Sequence, residues 1–405
     1  MLKYWLWLTS MPAVGNQARL ALLRQFENPE NIYYAEEADL KMVEGLKPDQ
    51  IAAILEHDLN PAGHILADCQ RCGQRILTIR DAESPVRLRS IYDPPCVLYV
   101  KGRLPAFDDE AAIAVVGTRK ATPYGISCAE RLSYDLASCG AVVVTGLARG
   151  GDTAAARGAL RAGGVVVGVT GNGLDVAYPP ENRDLYEDVA AAGALISEYP
   201  PGTEPDGRHF PVRNRIMSGL SVGVLVVEAP VRSGTLITAR LALEQGRDVF
   251  AVPGPINAPN SAGCIELLEE GAGIGAKAWH ILQEYEAKFP DKLHPSNRPR
   301  RPLPPLKPRT KPEAASRTRA KPPEKPETAP PETLPVRRRE GLTDDQITLL
   351  RALSDRNPVQ VDDLIETCGI PARRVLSALT VMEIERLVQQ HSGKRYTRTV
   401  TLAEG

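Results

Sequence analysis

The chain has 405 residues, 43% of them hydrophobic and 24% charged, a composition that suits a globular protein of two or three domains rather than one. No uninterrupted apolar run approaches the ~20 residues of a membrane span, so no membrane segment is expected. The formal net charge of −1 excludes a uniformly basic surface, yet residues 290–340 hold 14 Lys/Arg against 6 Asp/Glu. The remainder is therefore acidic, and an anion site within it has to concentrate its positive charge locally.

The opening run, Met1 to Leu20, is brief in apolar residues, full of aromatics and followed at once by a polar helical pattern. It reads as a buried first helix rather than a secretion signal. Trp5, Leu6 and Leu8, then Ala18, Leu22, Leu23 and Phe26, recur at helical spacing on either side of Pro12–Gly15. The theme repeats at Val43–Leu46 before Pro48–Leu55. Residues 1–75 are thus predicted as an all-helical domain of SAM or helix-hairpin-helix type. Its Gly-containing turns either hold a DNA phosphate with their amides or merely pack. The cysteines, at 69, 72, 96, 128, 139, 264 and 368, form an odd and dispersed set that fits a reducing cytoplasm rather than a disulfide framework. Cys69 and Cys72 form a CxxC with His57 and His64 upstream, but no second pair completes a four-ligand set, so chance spacing at a helix end is the reading and no metal is expected.

From Ala111 the pattern changes. Ile113–Val116, Val142–Thr145, Val165–Thr170, Leu195–Ser197, Val222–Val227 and Val249–Val252 are short, continuous Val-rich runs separated by amphipathic helices. Such runs predict a mostly parallel sheet covered on both faces, with its ligand at the carboxyl ends of the strands. The segments just past those strands repeat one chemistry. They read Gly117-Thr118-Arg119-Lys120, Gly146 to Asp152 with Arg149, Gly171 to Asn182, Glu198 to Gly202, and Arg232-Ser233-Gly234-Thr235. Between the fourth and fifth strands lie Arg208, Phe210, Arg213, Asn214 and Arg215. Guanidinium forks and exposed amides at a helix start favour phosphate. No GxGxxG follows the first strand and no Walker A sequence is present, so no nucleotide cofactor is expected; several shallow Arg/Gly loops suit a run of phosphates along a strand. Phe210 either stacks on an unpaired base or anchors the helix predicted over Pro211–Leu220. Asp152, Asp175, Glu198 and Glu228 stand at strand ends, where they are read as braces for loops and arginines rather than as catalytic acids. No nucleophile–base set or metal triad can be assembled.

Residues 290–340 are Pro-, Lys-, Arg- and Glu-rich and predict a solvated linker. Order resumes with a capping box at Thr343–Gln346, a second helix over Val361–Cys368, a third from Pro371 to Leu387, and a polar hairpin over Val388–Thr397. That order predicts a winged helix over 342–401, with only Arg373 and Arg374 basic near the start of its third helix. Duplex reading and protein contact both remain open there.

Together the loops Gly117–Arg119, Gly146–Gly150, Gly171–Asn182, Ser197–Gly202, Phe210–Ile216, Ser218–Ser221, Ser233–Ala239 and Val249–Gly254 resemble the DNA-processing protein A (DprA/Smf) family. The resemblance is dense over Ala82–Gly273 and looser outside it. It implies an extended Rossmann domain over 82–288 that binds single-stranded DNA, forms homodimers and loads the RecA recombinase during natural transformation, without catalytic activity. It carries Gly117, Thr118, Arg119, Phe210, Arg213, Asn214, Arg215, Ser233, Gly234 and Thr235 over as binding residues, beside Arg149 and Arg208 read from the rim. Thr118 stands where the family more often has Ser, Gly151 where it has Ile, and Ile265 where it has Asn. The rival from another class is a nucleotide-processing hydrolase of phosphoribohydrolase type. Arg232-Ser-Gly-Thr-Leu-Ile-Thr lacks that group's catalytic Glu.

Overall fold

The structure is a computed structural model that describes residues 1–295, 336–337, 342–355, 359–385, 387–391 and 395–402. Six helices come first: α1 (Leu2–Ser10), α2 (Asn16–Phe26), α3 (Pro29–Tyr33), α4 (Glu37–Lys41), α5 (Pro48–Leu55) and α6 (Asn60–Cys72). Local chemistry sets their ends. Asn28 caps α3 by accepting from the Asn31 amide, proline opens α3 and α5, and Gly73 at φ +63° closes α6. The aromatic opening of the chain is packed inside: Tyr4 through Leu8 are buried, and Trp7 meets Tyr33 edge-on at 5.0 Å. The Gly-bearing turns Met11–Gly15 and Met42–Lys47 join helices as expected. Both border one cavity of about 480 Å³, in which Arg24 is accompanied by Glu44 and Asp93. Cys69 is buried at the end of α6, and burial pushes its thiol up to about 11. Among the described residues no group of three or more His, Cys, Asp or Glu is placed to hold a metal ion.

A nine-stranded sheet follows, built from β1 (Arg75–Thr78), β2 (Val97–Gly102), β3 (Ala112–Val116), β4 (Val142–Thr145), β5 (Val166–Thr170), β6 (Ala194–Ser197), β7 (Gly223–Val226), β8 (Asp248–Ala251) and β9 (Gly273–Ile274). Their order is β1-β2-β6-β5-β4-β3-β7-β8-β9. The connections carry α7 (Val86–Arg89), α8 (Pro123–Ser138), α9 (Gly151–Arg161), α10 (Arg183–Ala192), α11 (His209–Leu220), α12 (Gly234–Glu244) and α13 (Ala262–Glu269), and α14 (Ala278–Leu282) follows β9. The six predicted strands are β3 to β8, all parallel. Beyond them β2 pairs antiparallel with β6, and β1 antiparallel with β2.

Burial on both faces explains the valine-rich strands. Ile113 and Val115 point into one core, while Ala112, Ala114 and Val116 point into the other. Trp5, Trp7, Leu22 and Ile54 of the opening helices belong to the first core together with Leu136 and Tyr186, so the helices do not stand apart from the sheet. Each such side chain contributes about 1.5–3 kcal/mol by leaving water. The same unit extends past the expected linker start at 290. Leu293 is buried, the His294 amide donates to the Cys139 carbonyl, and Lys292 pairs with Glu110 at 2.6 Å. Apart from Val336–Arg337, residues 296–340 of the expected linker lie outside the described residues.

The second unit holds β10 (Val336–Arg337), α15 (Asp344–Ala352), β11 (Val359–Gln360), α16 (Val361–Cys368), α17 (Ala372–Ile384), β12 (Val388–His391), β13 (Arg395–Arg398) and β14 (Thr401–Leu402). The capping box forms as predicted: the Gln346 amide donates to Thr343 Oγ1 and the Thr343 amide to Gln346 Oε1. Three helices and a β-ribbon enclose Leu349, Leu364, Val375, Leu379, Met382 and Tyr396, the winged-helix arrangement. Arg374 is committed to a two-pronged ion pair with Asp345 at 2.9 Å, and the Arg373 side chain lies outside the described residues.

Candidate nucleic-acid interface

Topology puts a crevice at one place. From β3 the chain steps outward through β4, β5 and β6, and α11 then carries it back across to β7 on the other side of β3. Loops leaving the carboxyl ends of β3 and β7 therefore diverge, and ligands of parallel α/β sheets settle at such a divide. Here the divide opens a cavity of about 420 Å³. Gly117, Thr118 and Arg119 line it from the β3 end, Phe210, Arg213 and Asn214 from α11, and Ser233, Gly234 and Thr235 from the start of α12. Nine of the twelve residues named from the sequence are thus gathered in one place.

Close backbone packing builds the wall. A Cβ on Gly151 would stand 2.7 Å from the Gly117 Cα, so a side chain such as isoleucine at 151 does not fit this arrangement of the β3 loop and α9. Thr118 is locked by its amide donating to the Glu228 carbonyl at 2.8 Å. The Glu228 carboxylate in turn accepts from the Thr122 amide and hydroxyl at 2.9 and 2.6 Å, and Thr122 caps α8. Asn214 donates to the Gly234 carbonyl at 3.4 Å and so ties α11 to the first turn of α12.

Charge is concentrated on this wall, as an acidic chain requires. Arg119 is exposed and lies over the Phe210 ring, 4.8 Å from its centroid, while Tyr178 stacks with the same ring at 5.6 Å. Arg232 also lines the cavity, and neither Arg119 nor Arg232 makes an ion pair among the described residues. The α12 start adds amide donors and the positive end of an 11-residue helix, with the Ser233 hydroxyl buried beside them and without a partner among the described residues. Arg213 forms the floor. It is buried, donates to the Val169 carbonyl and faces Asp152, which accepts from the Gly117 amide at 3.3 Å. Burial pushes the Asp152 carboxyl up and the Arg213 guanidinium down, each opposed by the charge of the other.

Three predicted residues stand elsewhere. Arg215 is buried, with Nε 2.8 Å from Asp93 Oδ2 and an Nη 2.8 Å from Glu198 Oε1. Two residues along a helix turn a side chain by about 200°, so Arg215 leaves α11 on the side away from Arg213. Arg149 is paired with Glu181, and Arg208 forks onto Asp206, both at the surface and outside the cavity. The four strand-end carboxylates are braces as expected: Asp152 and Glu228 as described, Glu198 on Arg215, and Asp175 on the Gly202 amide. Sequence reasoning missed Thr238 and Met217 as lining residues. Helical spacing held the signal, since Thr238 lies one turn below Gly234 and Met217 one turn below Arg213 and Asn214.

Relatives agree with this architecture. A family profile described as DNA recombination-mediator protein A matches residues 75–286, and one described as the DprA winged helix domain matches 321–394. The chain is 34% identical to Protein Smf of Synechocystis over 98% of both chains. It is 41% identical to the DNA processing protein DprA of Bacillus subtilis, over 58% of this chain and 81% of that one. The X-ray structure of DNA processing protein A from Streptococcus pneumoniae superposes with a TM-score of 0.63 at 36% identity, covering 70% of this chain and 98% of that chain. With the profile spanning half its length and a full-length relative at this identity, the chain belongs to the DNA recombination-mediator protein A family, the DprA/Smf proteins.

Proposed function

We propose that this protein grips single-stranded DNA in the Arg119–Arg232 cavity without cleaving it. It then delivers the strand, as a homodimer in the cytoplasm, to the RecA recombinase during natural transformation and recombination. The observation that carries the reading is the pairing of two guanidinium groups that have no ion-pair partner among the described residues with the first turn of α12, beside a half-buried aromatic ring. Cations and amides hold phosphates irrespective of sequence, and the ring, once Arg119 turns from it to a phosphate, offers a surface to a base that only an unpaired strand presents. The strand-end carboxylates, which a hydrolase would need, are engaged in holding loops and arginines. The family description as a recombination mediator supports the delivery step. Fluorescence anisotropy with labelled oligonucleotides tests it: the wild type binds single strands, and Arg119→Glu with Arg232→Glu removes that binding while the fold survives. Unchanged affinity in the double variant overturns the site.

A further inference from the structure

Beside the cavity, outside its lining, a second pair of rings is stacked more tightly than the first. His209 and Tyr199 lie with centroids 4.0 Å apart and planes 19° from parallel, whereas Tyr178 and Phe210 are 5.6 Å apart at 27°. All four rings are half-buried. His209 and Phe210 are consecutive residues in the first turn of α11, so their Cα atoms are about 3.8 Å apart and their side chains fan by about 100°. Each meets its own tyrosine, Phe210 from the loop after β5 and His209 from the loop after β6.

Both platforms are fixed from below by one residue. A Cβ on Gly171 would stand 3.1 Å from the Phe210 ring and 3.4 Å from the His209 Cβ, so glycine lets the start of α11 lie down on the β5 end. The Gly171 carbonyl is 3.0 Å from His209 Nδ1. A carbonyl oxygen only accepts, so Nδ1 carries the proton and the imidazole plane is held against rotation. Tyr199 is fixed through its amide, which donates to Ser197 Oγ at 3.0 Å, and that hydroxyl donates to the Asn172 carbonyl at 2.8 Å. The Tyr199 hydroxyl has no partner among the described residues, so the ring is positioned by its backbone and by stacking rather than by its polar tip.

We propose that the His209–Tyr199 pair is a second base-holding platform, taking the base of the nucleotide next to the one held at Phe210. The inference rests on the reading of the neighbouring cavity as a single-strand site. A pair serving only to pack a loop has no need of two flat polar rings, half exposed, beside another stacked pair on the same helix turn. Stacking on such a face tolerates any base, and the exposed Arg208 next to His209 is paired, among the described residues, only with Asp206 at the surface, a partner that a phosphate readily exchanges. The strand is thereby carried from the α12 end of the cavity across the start of α11 toward the β6 end, which gives the site its direction and a length beyond one nucleotide.

The test uses the full chain and the shortest single-stranded oligonucleotide that saturates it, so that one register dominates, with a single abasic position moved along the sequence. Wild type is expected to weaken about tenfold at each of two adjacent positions, the scale of one stacked base. His209→Leu and Tyr199→Leu each abolish the sensitivity at one of those positions and leave the other, whereas Phe210→Leu does the reverse. Tyr199→Phe restores what Tyr199→Leu loses. Three results overturn the platform: a single sensitive position in wild type, an unaltered pair of positions in His209→Leu, or a His209→Leu protein whose two sensitivities fall together with its thermal stability. If wild type binds no oligonucleotide, the cavity itself has been misread and this inference falls with it.

Discussion

Arg119 and Arg215 have the same side chain and lie in motifs of the same kind, yet the surroundings give them opposite roles. Arg119 is solvent-exposed on the cavity wall with no ion-pair partner among the described residues; Arg215 is buried between Asp93 and Glu198. Arg119→Glu is therefore expected to weaken single-strand binding by at least about tenfold and to make the slope of log K against log salt shallower by about 0.7 for each phosphate that Arg119 engages, read by anisotropy across a salt series. Arg215→Ala is expected to cost about 3 kcal/mol in urea unfolding, because it leaves two carboxylates sharing a poorly solvated site without their cation. Its binding, measured on the folded fraction, keeps the wild-type salt slope. A changed slope would return Arg215 to the interface. The sequence singled out both arginines as binding residues but held no sign that Arg215 turns away from the cavity, since Arg213, Asn214 and Arg215 are adjacent and only the packing of α11 decides which face each takes.

At the scale of elements, the β3–α8 loop is the most informative. It presents Arg119 to the cavity, and Thr122 holds its far end by capping α8 while donating to Glu228. Thr122→Val removes a cap and a charge-assisted hydrogen bond, so unfolding free energy is expected to fall by about 1–2 kcal/mol. Single-strand affinity is expected to fall several-fold although no residue of the cavity wall is altered; unchanged affinity would show that the loop holds its shape without the cap. The six central strands were legible because burial on two faces leaves long valine runs between helix-like stretches. β1 and β2 were not, because an antiparallel extension at one edge of the sheet carries Arg75, Lys101 and Gly102 and breaks that pattern. β9 has two residues and no periodicity to read.

For the whole molecule, the opening helices share their hydrophobic core with the sheet, through Trp5, Leu6, Trp7 and Leu8. A fragment of residues 80–290 uncovers that core and is expected to aggregate or melt at low temperature. Residues 1–295 are expected to fold and to keep single-strand affinity close to that of the full chain, judged by circular dichroism and anisotropy. Loss of binding in that soluble fragment would move the interface to the second unit. Composition marked the Pro-rich stretch and the order of predicted elements the winged helix, but neither marked the attachment of Leu293 and Lys292 to the first unit, which depends on distant residues such as Glu110.

The most direct measurement titrates the full chain with labelled single-stranded and duplex oligonucleotides of one length over a range of salt. Tighter binding of the single strand is expected, with log K falling linearly in log salt by about 0.7 for each phosphate engaged. Equal or tighter binding of the duplex, or an affinity indifferent to salt, would contradict it.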